Sequence, residues 1–209
     1  MALRDHSLDD KITAAALEEF SEKGFAGSSL RKIAEKAGAT VGAIQTRYKS
    51  KDELFLCLLK PFLDDIEATF CAVKGDYYGG GDGDFLKQLK DSMRRESERI
   101  LHLIFAHYEE AVLLFFRSAG SGAEHYFDRV VERKCTESMA FFRAAGYEDA
   151  DETLFKMLLS AQFDSYRRIV AQCADRETAE KYMQAMMVYH FGGWSALFDA
   201  AKEAGSEAK

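Results

Sequence analysis

Proline occurs once in 209 residues, at Pro61. With β-branched residues also sparse, little interrupts helices, and an all-α fold is expected. Cysteine is nearly as scarce. Cys57, Cys71, Cys135 and Cys173 stand singly, mostly among apolar neighbours, so their spacing suggests no disulfide framework and no CxxC metal pair. Buried, reduced thiols are the expectation, with a redox sensor as the alternative. No long uncharged apolar run is present, which excludes a transmembrane helix. The opening MALRDHSLDD lacks the apolar core of a secretory signal, so a cytoplasmic location is expected. Positive charge is also short, with 28 Lys and Arg against 35 Asp and Glu, a net charge of −7. Any approach to a polyanion must therefore be local.

One segment supplies that locality. Ser28–Lys51, SSLRKIAEKAGATVGAIQTRYKSK, sets Arg31, Lys32, Lys36, Arg47, Lys49 and Lys51 against the single acid Glu35, six cations to one. Residues 1–60 balance at +1 and residues 61–209 at −8 by the same count of Lys and Arg against Asp and Glu. The basic island reads as two short helices. Ser28 can cap the first, whose Leu30, Ile33, Ala34 and Ala37 share a stripe. Gly38 supplies a left-handed stop. Thr40 restarts a helix with Val41, Ile44 and Tyr48 on one face and Gly42, Ala43, Thr46 and Arg47 opposite, Gln45 at the edge. Small residues near a helix N-terminus let its backbone lie close to base edges, as a helix-turn-helix requires. On spacing alone, a solvated helical hairpin fits equally well.

The flanks add to this pattern. Ile12, Ala16 and Phe20 make a first amphipathic helix ended by Gly24-Phe25-Ala26-Gly27. Ser50 and Glu53 form a capping box that opens a further helix through Leu54, Phe55, Leu58 and Leu59. The AxxxFxxxGF run at Ala16–Phe25, the SSLRKIAEKAG run at Ser28–Gly38 and the SKDELF run at Ser50–Phe55 together resemble the DNA-binding domain of the tetracycline-repressor (TetR) family of bacterial transcription regulators. The resemblance covers about the first quarter of the chain. It implies that Arg31, Val41, Gly42 and Ala43 lie near base edges, and Ser29, Thr40, Gln45, Arg47, Lys49 and Lys51 near phosphates. The chain departs from the family in having Gln45 where an aromatic is usual and Arg47-Tyr48 where His-Phe is common. The Gln45 amide can contact phosphate or pair with an adenine edge.

Beyond residue 60 the pattern is one of long amphipathic helices, bringing the total to about nine. A kink is expected at Pro61. The glycine-rich Asp76–Asp84 reads as the most flexible internal linker; it lacks the ligand spacing of a calcium loop. Helices are expected from about Phe85 to Ala119, with a break near His102–Glu109, then over about 123–145, Asp151–Cys173 and Asp175–Ala201, before a short disordered tail. Residues 1–52 are expected to form the DNA-binding domain and 53–209 a helical effector-binding and dimerisation domain.

In the resembling family the last two helices pair with their copies in a second subunit, and Leu158, Ser165, Met187, Phe191 and Trp194 are the expected interface here. Gly192 and Gly193 cost about 1 kcal/mol each in a helix, which close approach of another helix can offset. Aromatics are dense in the middle helices. With the resemblance, they imply a pocket for a small hydrophobic or aromatic ligand lined by Phe62, Ile66, Phe70, Met93, Phe105, His107, Tyr108, Phe116, Phe127, Phe163 and Tyr166.

Catalytic and metal readings find little. His102 and His107 are five apart, on different faces of one straight helix, and no HxxxH pairing occurs. Ser29-Leu30-Arg31-Lys32 matches SxxK formally, without the companion motifs of that chemistry. No enzymatic activity, metal or cofactor is expected. The expected function is a homodimeric DNA-binding transcription regulator, a repressor binding a palindromic operator in double-stranded DNA and released by a small-molecule effector. The alternatives are an effector-independent DNA-binding or protein-interaction module of the same family, and an all-α carrier or enzyme.

Overall fold

A computed structural model describes residues 6–78, 85–144, 151–173 and 175–207. Those residues form nine helices and no strand: α1 (His6–Gly27), α2 (Leu30–Ala37), α3 (Val41–Arg47), α4 (Lys51–Tyr78), α5 (Phe85–Ala106), α6 (Tyr108–Phe116), α7 (Tyr126–Ala144), α8 (Glu152–Gln172) and α9 (Arg176–Glu207). Among the described residues no helix is long and apolar enough to cross a membrane.

Local chemistry sets most of the boundaries. Gly24 takes φ 68° and ψ 168°, which a side chain resists, and turns the end of α1. Ser29, not Ser28, caps α2: its hydroxyl accepts from the Lys32 amide, while the Ser28 hydroxyl donates back to the Phe25 carbonyl. Either serine satisfies the capping pattern; the preceding turn decides which faces the helix. Gly38 ends α2 at φ 64° and Thr40 caps α3 by accepting from the Ala43 amide. At the start of α4 the Glu53 amide donates to Ser50 Oγ. The Glu53 carboxylate accepts from the Lys49 amide, one residue before the usual partner.

Further along, α4 continues through Pro61, and the break between α5 and α6 falls at His107. The helix α9 extends past the end expected at Ala201, because Ala200-Ala201-Lys202-Glu203-Ala204 are all strong helix formers. Residues 79–84 of the glycine-rich linker, and 145–150 with Gly146, lie outside the described residues. Cys135 and Cys173 are buried as expected, and burial pushes both thiols up; Cys57 and Cys71 instead lie exposed on α4.

The chain forms two compact units. The first takes the chain up to Asp65 together with His107–Tyr126; the second takes Ile66–Ala106 and the chain from Phe127 onward. In the first, Phe20, Phe25 and Phe55 make an aromatic core, with ring centres 6.1, 4.9 and 5.2 Å apart. Ile12, Ile33, Ile44 and Leu54 are fully buried there. In the second, α9 packs on α5 and α8. Trp194 lies 4.9 Å from Phe155 between ring centres, and its indole N–H donates to the Gln162 amide oxygen at 3.0 Å. Phe142 meets Phe155 and Phe198 at 5.1 and 5.0 Å.

Candidate nucleic-acid interface

The first three helices assemble a head joined by ion pairs and hydrogen bonds. Lys36 of α2 reaches three carboxylates of α1, Glu18 at 2.9 Å, Glu19 at 3.4 Å and Glu22 at 3.5 Å. Its amine is pushed up, chiefly by the hydrogen bond to Glu18, against a smaller opposing effect of burial. Arg47 of α3 donates from Nε to Asp9 Oδ1 at 2.5 Å and from a terminal nitrogen to the Ala43 carbonyl at 3.2 Å. The ammonium of Lys51 donates to the Phe25 carbonyl at 2.6 Å and to the Ser28 carbonyl at 3.0 Å, and stands 4.3 Å over the Phe25 ring. Lys32 pairs with Glu35 at 2.9 Å, and that hydrogen bond is the main cause of the lowered Glu35 carboxyl.

The basic island is thus sorted by what each cation touches. Arg47 and Lys51, expected at phosphates, are spent on the head itself, since a half-buried cation is held by a nearby acid or carbonyl rather than by solvent. Arg31 and Lys49 are exposed, and neither has an ion-pair partner among the described residues. On α3, Gly42, Gln45 and Thr46 face solvent, Val41 and Ala43 are half-buried, and the Thr46 hydroxyl donates back to the Gly42 carbonyl. Ser29 and Thr40 lie exposed at the two helix starts, each with its hydroxyl oxygen already accepting from its own helix. Thr40 and Gly42 are close enough that a Cβ at Gly42 would stand 3.9 Å from the Thr40 hydroxyl. What remains is a short polar face on α3, with Arg31 on α2 and Lys49 just past α3 also exposed, which suits backbone approach to a phosphate-lined groove.

The head is also fixed from behind within the same unit. The Phe25 amide donates to the Arg117 carbonyl at 2.8 Å, just past the end of α6. The Gly122 amide donates to the Asp52 carboxylate at 2.8 Å. At the other end of α6, His107 Nε2 lies 3.0 Å from Asp65 Oδ2 and its ring 5.6 Å from Phe62. These tether α6 and its following turn to both α1 and α4.

The expected ligand-pocket residues are divided between the two units. Phe62, His107, Tyr108 and Phe116 belong to the first unit; Tyr108 and Phe116 are exposed on α6. Ile66, Phe70, Met93, Phe105, Phe127, Phe163 and Tyr166 belong to the second, where Phe163 meets Phe70 at 6.0 Å, Phe127 at 6.4 Å and Tyr166 at 5.9 Å. Aromatic density along the sequence could not tell the units apart, because α6 folds with the head although its neighbours in sequence do not. An open surface groove of about 280 Å³ on the second unit is lined by Thr69, Glu98, Arg99, His102 and Leu103, without any of the expected aromatics.

The expected dimer residues also divide. Ser165, Met187 and Trp194 are buried by their own chain, Ser165 with its hydroxyl 3.0 Å from His190 Nε2. Leu158 and Phe191 are half-buried. The apolar side chains that do face solvent on these helices are Leu154 and Met157 on α8 and Tyr182, Val188, Tyr189 and Leu197 on α9. Both α8 and α9 carry apolar residues on more than one face, and Ser165, Met187 and Trp194 lie on the inward one.

A family model for bacterial regulatory proteins of the tetR family matches residues 12–58. The HTH-type transcriptional regulator RutR of Escherichia coli (strain K12) is 29% identical over 119 residues, 57% of this chain and 51% of RutR. The chain thus spans about half the length of the curated relatives it matches. Among solved structures, a TetR-like transcriptional regulator from Rhodococcus sp. RHA1 superposes with a TM-score of 0.59 at 20% identity, covering 91% of this chain and 99% of that one. The transcriptional regulator FadR of Bacillus subtilis, solved in complex with stearoyl-CoA, gives 0.58 at 15% identity over 88% and 98% of the two chains. At such identities these two establish the fold. Residues 12–58 thus match the tetR family of bacterial regulatory proteins, and the chain shares the fold of TetR-like regulators.

Proposed function

We propose that the protein is a homodimeric, sequence-specific transcriptional repressor that leaves its operator when a small molecule binds the second unit. The single observation that carries the reading is the selective commitment of charge in the head. Lys36, Arg47 and Lys51 hold the three helices and the first turn together, while Arg31 and Lys49 are left facing solvent, as are Gly42, Gln45 and Thr46.

In this reading Lys49 neutralises a phosphate, Gln45 and the α3 N-terminus with Ser29 and Thr40 set the register on the backbone, and Arg31, Val41, Gly42 and Ala43 approach base edges. Two heads on a two-fold axis read half-sites about 34 Å apart. The exposed apolar residues of α8 and α9 support the pairing. Val188 and Tyr189 are 72% and 78% exposed, next to Gly192 and Gly193, where an added Cβ would meet nothing within 4 Å of its own chain. A second copy gives such a surface something to pack against.

Release follows if the ligand binds two arrangements of the dimer unequally. The helix α4 belongs to both units, and the turn after α6 grips the head through Arg117 and Gly122. A ligand-induced shift of α4 or α6 then changes the separation of the two heads.

Selection of bound fragments from a random pool of duplex DNA tests the reading. A palindromic consensus is the expected result. Enrichment of no sequence, or of a single unrepeated half-site, contradicts it.

A further inference from the structure

In the second unit one ion pair sits where an ordinary core puts hydrocarbon. Glu96 on α5, 3% exposed, accepts at 2.7 Å from the ammonium of Lys134 on α7, which is 17% exposed. The same ammonium stands 4.6 Å from the ring centre of Phe70 on α4 and 5.9 Å from that of Phe163 on α8. Phe127 and Tyr166 extend the aromatic wall around Phe163. Burial, and then the Glu96 charge, push the Tyr166 phenol well up, so the wall presents a neutral hydroxyl in the field of a carboxylate. Four helices contribute to this one centre.

A buried ion pair seldom stabilises a fold more than well-packed apolar side chains would. Its two members are also unequally free to leave. Glu96 is sealed, whereas Lys134 has a long flexible stem and part of its side chain already at the surface, so its ammonium can swing to water. Its departure would leave a buried carboxylate facing the rings of Phe70 and Phe163. That combination of charge and aromatic faces is what recognises an organic cation. An entering anion meets Glu96 at close range, and a neutral guest leaves Glu96 without a partner.

We infer that the effector of this regulator is an organic cation, an amine or quaternary ammonium on an apolar body, which replaces the Lys134 ammonium against Glu96, Phe70 and Phe163. The inference rests on the effector-released reading above and names the chemical class that reading leaves open.

The test titrates benzyltrimethylammonium, benzyl alcohol and phenylacetate into the whole protein, read by thermal shift and by the fluorescence of its single tryptophan. The ammonium compound is expected to bind at least about tenfold more tightly than the alcohol or the carboxylate. Lys134→Met is expected to melt below the natural protein, because Glu96 loses its partner, and to be raised further by the ammonium than the natural protein is. In Glu96→Gln the three compounds are expected to bind alike. Equal binding of the three to the natural protein overturns the inference, as does a cation preference that survives Glu96→Gln. If Lys134→Met does not fold, the ratios for the natural protein and Glu96→Gln decide. Duplex binding is measured on the same samples: intact DNA recognition without cation preference removes this inference alone, whereas absent DNA recognition removes the regulatory reading beneath it.

Discussion

Arg47 and Asp9 lie 38 residues apart in sequence and are joined by a 2.5 Å bond from Nε to Oδ1, with both side chains mostly withdrawn from water. The pair ties α3 to α1, so the most prominent cation of the α3 sequence acts on the fold of the head. Arg47→Ala is expected to lower stability by about 1–3 kcal/mol, since it removes the bond between Arg47 and Asp9 from a half-buried site. Denaturant unfolding reads that loss. The slope of log affinity against log salt should stay as in the natural protein, whereas Lys49→Ala should reverse the pattern, leaving stability unchanged and flattening the slope.

Lys51 closes the turn before α2 by donating to the carbonyls of Phe25 and Ser28. Lys51→Met keeps the stem but removes one donor from each carbonyl, although that of Phe25 still accepts from the Ser28 hydroxyl. A loss of about 1–2 kcal/mol is expected, again without a change in salt slope. A flattened slope at unchanged stability would return Lys51 to the phosphate-contacting set.

Two glycines with positive φ should respond differently to substitution. At Gly38 (φ 64°, ψ 33°) the conformation is the left-handed helical one, and no atom lies within 4 Å of an added Cβ. Gly38→Asn is therefore expected to cost under about 1 kcal/mol. Gly24 (φ 68°, ψ 168°) occupies a region that side chains hardly enter, so Gly24→Asn should cost about 2–3 kcal/mol and loosen the Phe25–Arg117 bond. Thermal melts of the two variants compare them directly.

These contrasts mark what was legible in the sequence. Gly38, Thr40 and the Ser50–Glu53 box announce themselves because each acts on backbone within four residues, and the turn glycines fix the order of the first helices. The break at His107 was visible within a few residues for the same reason. Partners far along the chain were not. Nothing local shows that Asp9 meets Arg47, or that Phe25 and Ser28 offer carbonyls to Lys51, so the charge pattern and the family resemblance put these two cations at phosphates. Adjacent Ser28 and Ser29 were interchangeable until the turn at Gly24 oriented them. On α8 and α9 periodicity finds a stripe without saying which neighbour covers it.

A histidine in the second unit gives the fold a pH dependence. Burial lowers the pKa of His190 from its ordinary value near 6.5, and its ring accepts or donates across 3.0 Å to the Ser165 hydroxyl. With the folded pKa below the unfolded one, the unfolded chain takes up the proton first as pH falls. Its contribution to stability is therefore full above about pH 6.5 and is lost as pH drops from there through the lowered folded value. The midpoint of thermal unfolding should decline over that acidic range, and His190→Gln should remove this part of the decline. An identical pH profile for the variant would contradict the assignment.

The outward apolar face of α9 should govern self-association. Val188→Asp combined with Tyr189→Asp alters two side chains that are over 70% exposed, so the fold should hold while the dimer dissociates. Sedimentation should show a monomer, and affinity for a palindromic site should fall by at least about tenfold, with half-site binding weak but present. A dimer that persists would move the interface elsewhere.

The salt dependence of binding to a selected palindrome, for the natural protein and for Lys49→Ala, bears most directly on DNA recognition by a paired basic head. A dimer loses two phosphate contacts on that change, so the log–log slope should become shallower by about two, with affinity reduced alike on specific and random duplexes. A slope and affinity unmoved by Lys49→Ala would contradict phosphate contact by this helix pair.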